Sequence, residues 1–260
     1  MGRWFGCLLA LLSGTASADP APGLTLPERT LELVTTAEVN ASNGSFADPT
    51  SIAPDVGFGV TADLTLSVVH STFATTGFRG SAGRGLCLTD ACAHVYDGGG
   101  VEGLYSVRRG ALAIAVLAGS HALGIDAGLY VGKVGAKLRY TVDRFVFTAL
   151  PSVFVGLSHR DTNLDRFFLP LAAAYKLTPA FAVGVATGIK GPFDGFTDRY
   201  ELAAGISAQY TICPTLTAAA SYAHGKLVAG DAALPDGSRG RDSRAIHLWL
   251  VWRADLATGR

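Results

Sequence analysis

The chain has 260 residues, 21 basic and 21 acidic side chains, 49% hydrophobic residues and a positive mean hydropathy. A formal charge near zero excludes a nucleic-acid surface or a polybasic membrane patch as the basis of function. Beyond the first residues the longest apolar runs are 111–119 and 145–157, the second broken by Thr148, Pro151 and Ser152. A spanning helix needs roughly 20 apolar residues, so a helical membrane protein is excluded. The other architecture that satisfies every backbone group in lipid is a closed β-barrel. Thirty-two glycines and one methionine suit it, although a secreted β-sandwich shares them.

At the front, MGRWFGCLLALLSGTASA places Arg3 before a short apolar stretch and ends on Ala16-Ser17-Ala18. This reads as a secretory signal peptide over 1–18, cleaved before Asp19. The domain plan is then a short periplasmic segment at 19–28, one barrel at 29–254 and a tail at 255–260.

From there the period is two. Leu31, Leu33, Ala37 and Val39 alternate with Glu32, Thr36, Glu38 and Asn40. Further on, Phe145, Phe147, Ala149, Pro151, Val153, Val155 and Leu157 alternate with a smaller, more polar set, as do Phe167, Leu169, Leu171, Ala173, Tyr175 and Leu177. The run Tyr200, Leu202, Ala204, Ile206, Ala208, Tyr210 and Ile212 extends over 13 residues, whereas an ordinary soluble strand has about five or six. Tilted membrane strands need about nine to eleven, with one greasy face toward lipid and small or charged residues toward the lumen.

Strands are expected near 29–40, 51–61, 63–72, 100–108, 111–121, 125–141, 143–158, 164–177, 180–190, 198–212, 215–226 and 244–254, an all-β, antiparallel up-and-down transmembrane barrel of about 12 strands. Loss of the first two would leave 10. In 125–141 the phase slips between Val131 and Val134, which predicts a bulge. Tight turns near 61–63, 108–110, 142–143, 178–179 and 213–214 alternate with connections near 41–50, 73–99, 122–124, 159–163, 191–197 and 227–243. Outer-membrane barrels sort their connections this way, with tight periplasmic turns on one rim and longer extracellular loops on the other.

At this point APDVGFGVTADLTLSVVHS at 53–71, GVEGLYSV at 100–107 and GPFDGFTDRYELAAGISAQY at 191–210 carry a resemblance. The chain resembles the porin-like outer-membrane β-barrels of Gram-negative, proteobacterial type over about a third of its length. The resemblance implies the cell outer membrane as location, with outer-membrane lipid and the barrel-assembly machinery as partners. Such barrels finish on an aromatic residue, whereas here Trp252 is followed by RADLATGR.

A charge facing mid-bilayer lipid costs about 2–4 kcal/mol, so the strand charges are assigned to the lumen. They are Glu32, Glu38, Glu102, Lys133, Lys137, Arg139, Lys176 and Glu201. Two readings stand: opposed acidic and basic arcs that tune passage of small polar solutes, or an internal salt-bridge network that closes the barrel. Twelve strands fall between a side-chain-filled barrel and a water channel, so strand number does not separate them. Tyr175, Tyr200, Tyr210, Phe145, Phe167 and Trp252 are assigned to the lipid interface. Cys87 and Cys92 in CLTDAC are expected to form a disulfide, and Cys213 reads as a buried or unreactive thiol in its turn.

No metal spacing, cofactor motif or catalytic constellation is evident. HRDTNLDR at 159–166 shares three letters with a kinase catalytic loop, but Asn163 follows Asp161 too soon. Adjacent pairs such as His70 and Ser71 point to opposite faces of a strand, which argues against a barrel hydrolase. The expectation is a non-enzymatic pore with a charged lumen. The alternatives are a closed structural or adhesive barrel acting through its loops, a lipid-modifying barrel enzyme, or a soluble sandwich.

Overall fold

Small or polar residues alternating with apolar ones give strands mostly of 10 to 14 residues here, and these strands find partners on both edges by closing on themselves. The structure, a computed structural model, describes residues 23–79, 85–92, 94–230 and 242–256. The proposed leader and most of the expected loop 227–243 lie outside the described residues.

The strands are β1 (Thr30–Asn40), β2 (Thr50–Gly59), β3 (Leu64–Val69), β4 (Leu86–Cys87), β5 (Gly99–Arg108), β6 (Leu112–Gly124), β7 (Leu129–Val142), β8 (Phe145–Ala149), β9 (Ser152–Gly156), β10 (Arg166–Lys176), β11 (Phe181–Pro192), β12 (Glu201–Cys213), β13 (Leu216–Ala229) and β14 (Arg244–Asp255). Each pairs antiparallel with its neighbours, and β1 pairs with both β2 and β14, so the sheet closes. β8 and β9 form one barrel strand, interrupted at Leu150 and Pro151, and both pair with β7 and β10. β4 is a two-residue addition to β2. The barrel therefore has twelve strands.

The alternation sorts as expected. On β12, Ile206 faces out and Ala203 is buried inside; on β14, Leu248 and Leu250 face out while Ala245 and His247 face in. Near the short-turn rim Phe145, Tyr210 and Trp252 are largely exposed on the outside, and the Phe145 ring lies 4.9 Å from Tyr175. Near the other rim Phe167 lies 6.5 Å from Phe193, and Tyr200, one residue before β12, packs 6.3 Å from Phe196. Cys213, the last residue of β12, is buried as expected, but it is disulfide-bonded and not a thiol.

Four details differ from the sequence reading. No bulge occurs between Val131 and Val134, where β7 pairs continuously with β6. Val131 is buried with Lys133 on the inner face, while Val134 is 54% exposed outside. The apparent slip was an apolar residue on the lumen side, placed there by an internal cluster of Phe78, Val131, Phe154, Phe168 and Ala203. The bulge on β6 lies instead between Ala122 and Gly124, so the loop expected at 122–124 falls at 125–128. β3 ends at Val69, short of residue 72; β14 runs past Trp252 to Asp255.

Residues 23–28 reach the inner wall beside the first tight turn, where Thr25 Oγ1 donates to the Ala62 carbonyl at 2.9 Å and Leu26 N–H to Thr65 Oγ1 at 2.7 Å. Placing a charge on the outer face of β12 tests the inside-out assignment. Ile206→Lys is expected to lower the stability of the refolded barrel in lipid vesicles by about 2–4 kcal/mol in a guanidinium titration. Ser207→Lys, one residue on and facing the lumen, is expected to cost clearly less.

Candidate functional site

The short β3 decides what happens inside the barrel. Beyond Val69 the chain turns inward, and residues 70–79 cross the lumen. Ser71 caps a one-turn helix, α1 (Thr72–Thr76), by accepting a hydrogen bond from Ala74 N–H on its side chain at 3.1 Å. Gly77 ends the turn at φ 79°, in the left-handed region that favours glycine. A Cβ there would also come within 2.4 Å of Pro170.

Two wall carboxylates hold the start of this segment. Asp55, on the inner face of β2, accepts from the backbone N–H of His70 at 2.6 Å and of Ser71 at 2.9 Å, and from Ser71 Oγ at 2.5 Å. Glu38, on β1 and 0% exposed, accepts from Thr72 N–H at 2.7 Å and Thr72 Oγ1 at 3.1 Å, with Ser51 Oγ at 3.4 Å. The Ser71 and Thr72 amides are among those that a first helical turn leaves without partners, and a carboxylate is their strongest acceptor.

The far wall holds the rest. Lys133, 1% exposed on β7, donates to the Ala74 carbonyl at 3.1 Å and to Glu102 at 2.6 Å. His121 Nε2 lies 3.0 Å from the same Glu102 oxygen, and its ring is stacked 5.8 Å from Phe154. Glycine at position 100 leaves room for that ring, since a Cβ there would come within 2.2 Å of it. Phe78 joins the Phe154–Phe168 cluster, and Arg79 is sandwiched between Phe73 and Trp249, 3.7 Å from each centroid. Contacts to β1, β2, β7, β10 and β14 span the circumference, so the segment bridges the lumen.

The eight candidate charges fall into separate groups. Glu38 grips the segment directly, and Glu102 with Lys133 grips it through the Ala74 carbonyl. Glu201 lies at the long-loop end between Lys190 at 2.9 Å and Lys226 at 3.1 Å. Glu32 pairs with Arg253 at 2.6 Å near the short turns. Lys137 and Arg139 follow Lys133 along the inner face of β7, and Lys176 ends β10 at the short-turn rim. The disulfide is present between Cys87 and Cys92, and Asn163 of the HRDTNLDR loop braces that loop by donating to the Tyr130 and Ser158 carbonyls.

Sequence reasoning missed Asp55, His121, His247, Arg79 and the inward course of residues 70–79. Asp55, His121 and His247 all sit at inward-phase positions, so their faces were legible. Ser71 and Gly77 bracket a single helical turn, the local signal for the segment.

With closure and the interior in place, comparison with solved structures settles the architecture. The chain superposes on a NanC porin structure with a TM-score of 0.55 at 12% identity, covering 85% of this chain and 98% of that one. It superposes on the KdgM porin with 0.56 at 8% identity, covering 85% and 98%. The chain has the fold of the outer-membrane porins. An outer membrane channel from Pseudomonas putida F1 extends this porin-fold likeness to 92% of this chain and all of that one, with a TM-score of 0.53 at 11% identity. No protein-family model matches the chain, and no curated protein matches it in sequence.

Within this porin fold, Glu38→Ala leaves the Thr72 N–H and hydroxyl buried without their acceptor, at a cost of about 1–3 kcal/mol. The Thr72 amide is expected to exchange with solvent deuterium roughly 10- to 100-fold faster. Glu32→Ala, which breaks a pair outside the segment, is expected to leave that rate unchanged.

Proposed function

We propose that the chain is an outer-membrane pore for small polar solutes, narrowed by residues 70–79 and bordered by charged groups on either side of that constriction. The observation that carries this reading is a loop segment seated inside a closed barrel and held by wall side chains from opposite sides. On the short-turn side of it lie Lys137, Arg139 and Lys176, with Arg253 paired to Glu32. On the loop side lies the Lys190–Glu201–Lys226 group. The strands between these groups carry inward residues as small as Ala182, Gly184, Gly205 and Ser207, and their small size supports the open-lumen reading. The short-turn rim is assigned to the periplasm and the loop rim to the exterior, with residues 1–18 as the export signal.

A closed structural barrel is the second reading. It is favoured by the apolar cluster around Phe78 and by the full burial of Lys133, which fill the lumen at the level of the segment.

Single-channel recording in a planar bilayer separates the two. The pore reading expects discrete steps, and a reversal potential under a salt gradient that shifts toward cation preference in Lys137→Glu. Stable insertion without current would replace the pore by the closed barrel. Steps whose selectivity ignores position 137 would remove the charged wall from the account.

A further inference from the structure

β2 is ten residues long and β3 six, so β3 covers β2 only from Val56 to Gly59. The uncovered edge is taken by β4, with Ser51 opposite Cys87 and Ile52 opposite Leu86, and the ladder continues through Leu88 N–H to the Thr50 carbonyl at 2.8 Å. The backbones approach closely at the start, where a Cβ on Gly85 would come within 2.2 Å of the Ile52 carbonyl. Directly paired residues of an antiparallel ladder face the same side. Cys87 therefore shares the inward side of Ser51, and the Cys87–Cys92 disulfide closes the hairpin on that side. Leu86 and Leu88 share the outward side of Ile52 and Thr50, in line with Val56 and Phe58, and are 48% and 60% exposed.

Their height is set by the strand. Ile52 and Thr50 lie six and eight residues above Phe58, which is about 20 and 26 Å along the strand, or about 15 and 20 Å along a barrel axis tilted by about 40°. An outer-membrane barrel carries an apolar band about 25 Å tall. Both leucines thus continue the lipid-facing surface where β3 is missing.

We propose that the disulfide-closed hairpin 85–92 is a membrane-contact element, with Leu86 and Leu88 seated in the hydrocarbon of the outer leaflet. The short β3 and the inward segment have one consequence for the wall: the strip of β2 that β3 abandons is resealed against lipid by two leucines from the same loop. The proposal rests on the barrel's insertion in a bilayer, and it is independent of whether the lumen conducts.

The test is Leu88→Trp in the full chain, refolded into dioleoylphosphatidylcholine vesicles with and without acyl-brominated phosphatidylcholine. The fluorescence added by the new indole is expected to be blue-shifted and to lose at least half its intensity in the brominated vesicles. Asp126→Trp, on the exposed loop 125–128, is expected to be unaffected. Trp252, 43% exposed on the outer face near the other rim, reports insertion in every sample. Quenching of Trp252 with red-shifted, unquenched emission at position 88 would overturn the proposal and point to a protein partner for the two leucines. Loss of quenching at Trp252 itself would indicate failure of the membrane reading. Leu86→Ser/Leu88→Ser gives a second measure: it is expected to weaken vesicle-dependent refolding while leaving the disulfide intact, and refolding equal to the parent would count against the proposal.

Discussion

Two carboxylates buried in the wall, Glu38 and Asp55, govern the interior of this barrel. A buried carboxylate without partners is untenable at several kcal/mol. They accept hydrogen bonds from the backbone N–H groups of residues 70–72 and from the hydroxyls of Ser71, Thr72 and Ser51. The dependence runs both ways, because the Ser71 and Thr72 amides belong to a first helical turn and would themselves be orphaned in the lumen. Strand and segment thus stabilise one another, and the early end of β3 at Val69 is what frees residue 70 to turn inward.

The consequences spread around the wall. Once the segment crosses, the Ala74 carbonyl meets Lys133, which keeps Glu102 paired and His121 close by. Phe78 then needs an apolar seat, and Val131, Phe154 and Phe168 supply it from inward positions that a simple polar lumen would leave to small or charged residues. On the outer side the same loop returns as β4 and closes the edge that β3 left open. One loop therefore narrows the lumen and completes the wall.

The strand pattern was readable because lipid imposes a uniform rule on one face. Leu248, Leu250 and Ile206 could be placed from alternation alone, and ten or more residues per run separated membrane strands from soluble ones. The rule weakens inside. Val131 looked like a break in phase because an apolar residue facing the lumen makes sense only beside Phe78, which arrives from more than fifty positions earlier in the chain. Glu38 and Glu102 were legible as inward charges. What they hold was not, since Glu38 accepts from Thr72 of the inward segment and Glu102 reaches that segment only through Lys133, which donates to the Ala74 carbonyl. Position on a face is a local property; the choice of partner is not.

Charge follows this division. Near the segment, acids and bases are used up in holding it, whereas Lys137, Arg139 and Lys176 lie toward the short turns and Lys190 with Lys226 brackets Glu201 toward the loops. A solute would meet charge on both sides of a constriction whose own polar groups are mostly satisfied. The central claim is that residues 70–79 form that constriction. The most direct measurement is the single-channel conductance of a chain in which 71–78 is replaced by a short Gly-Ser connection. A several-fold larger conductance than the parent is the predicted result. An unchanged conductance from a correctly inserted variant would contradict the account.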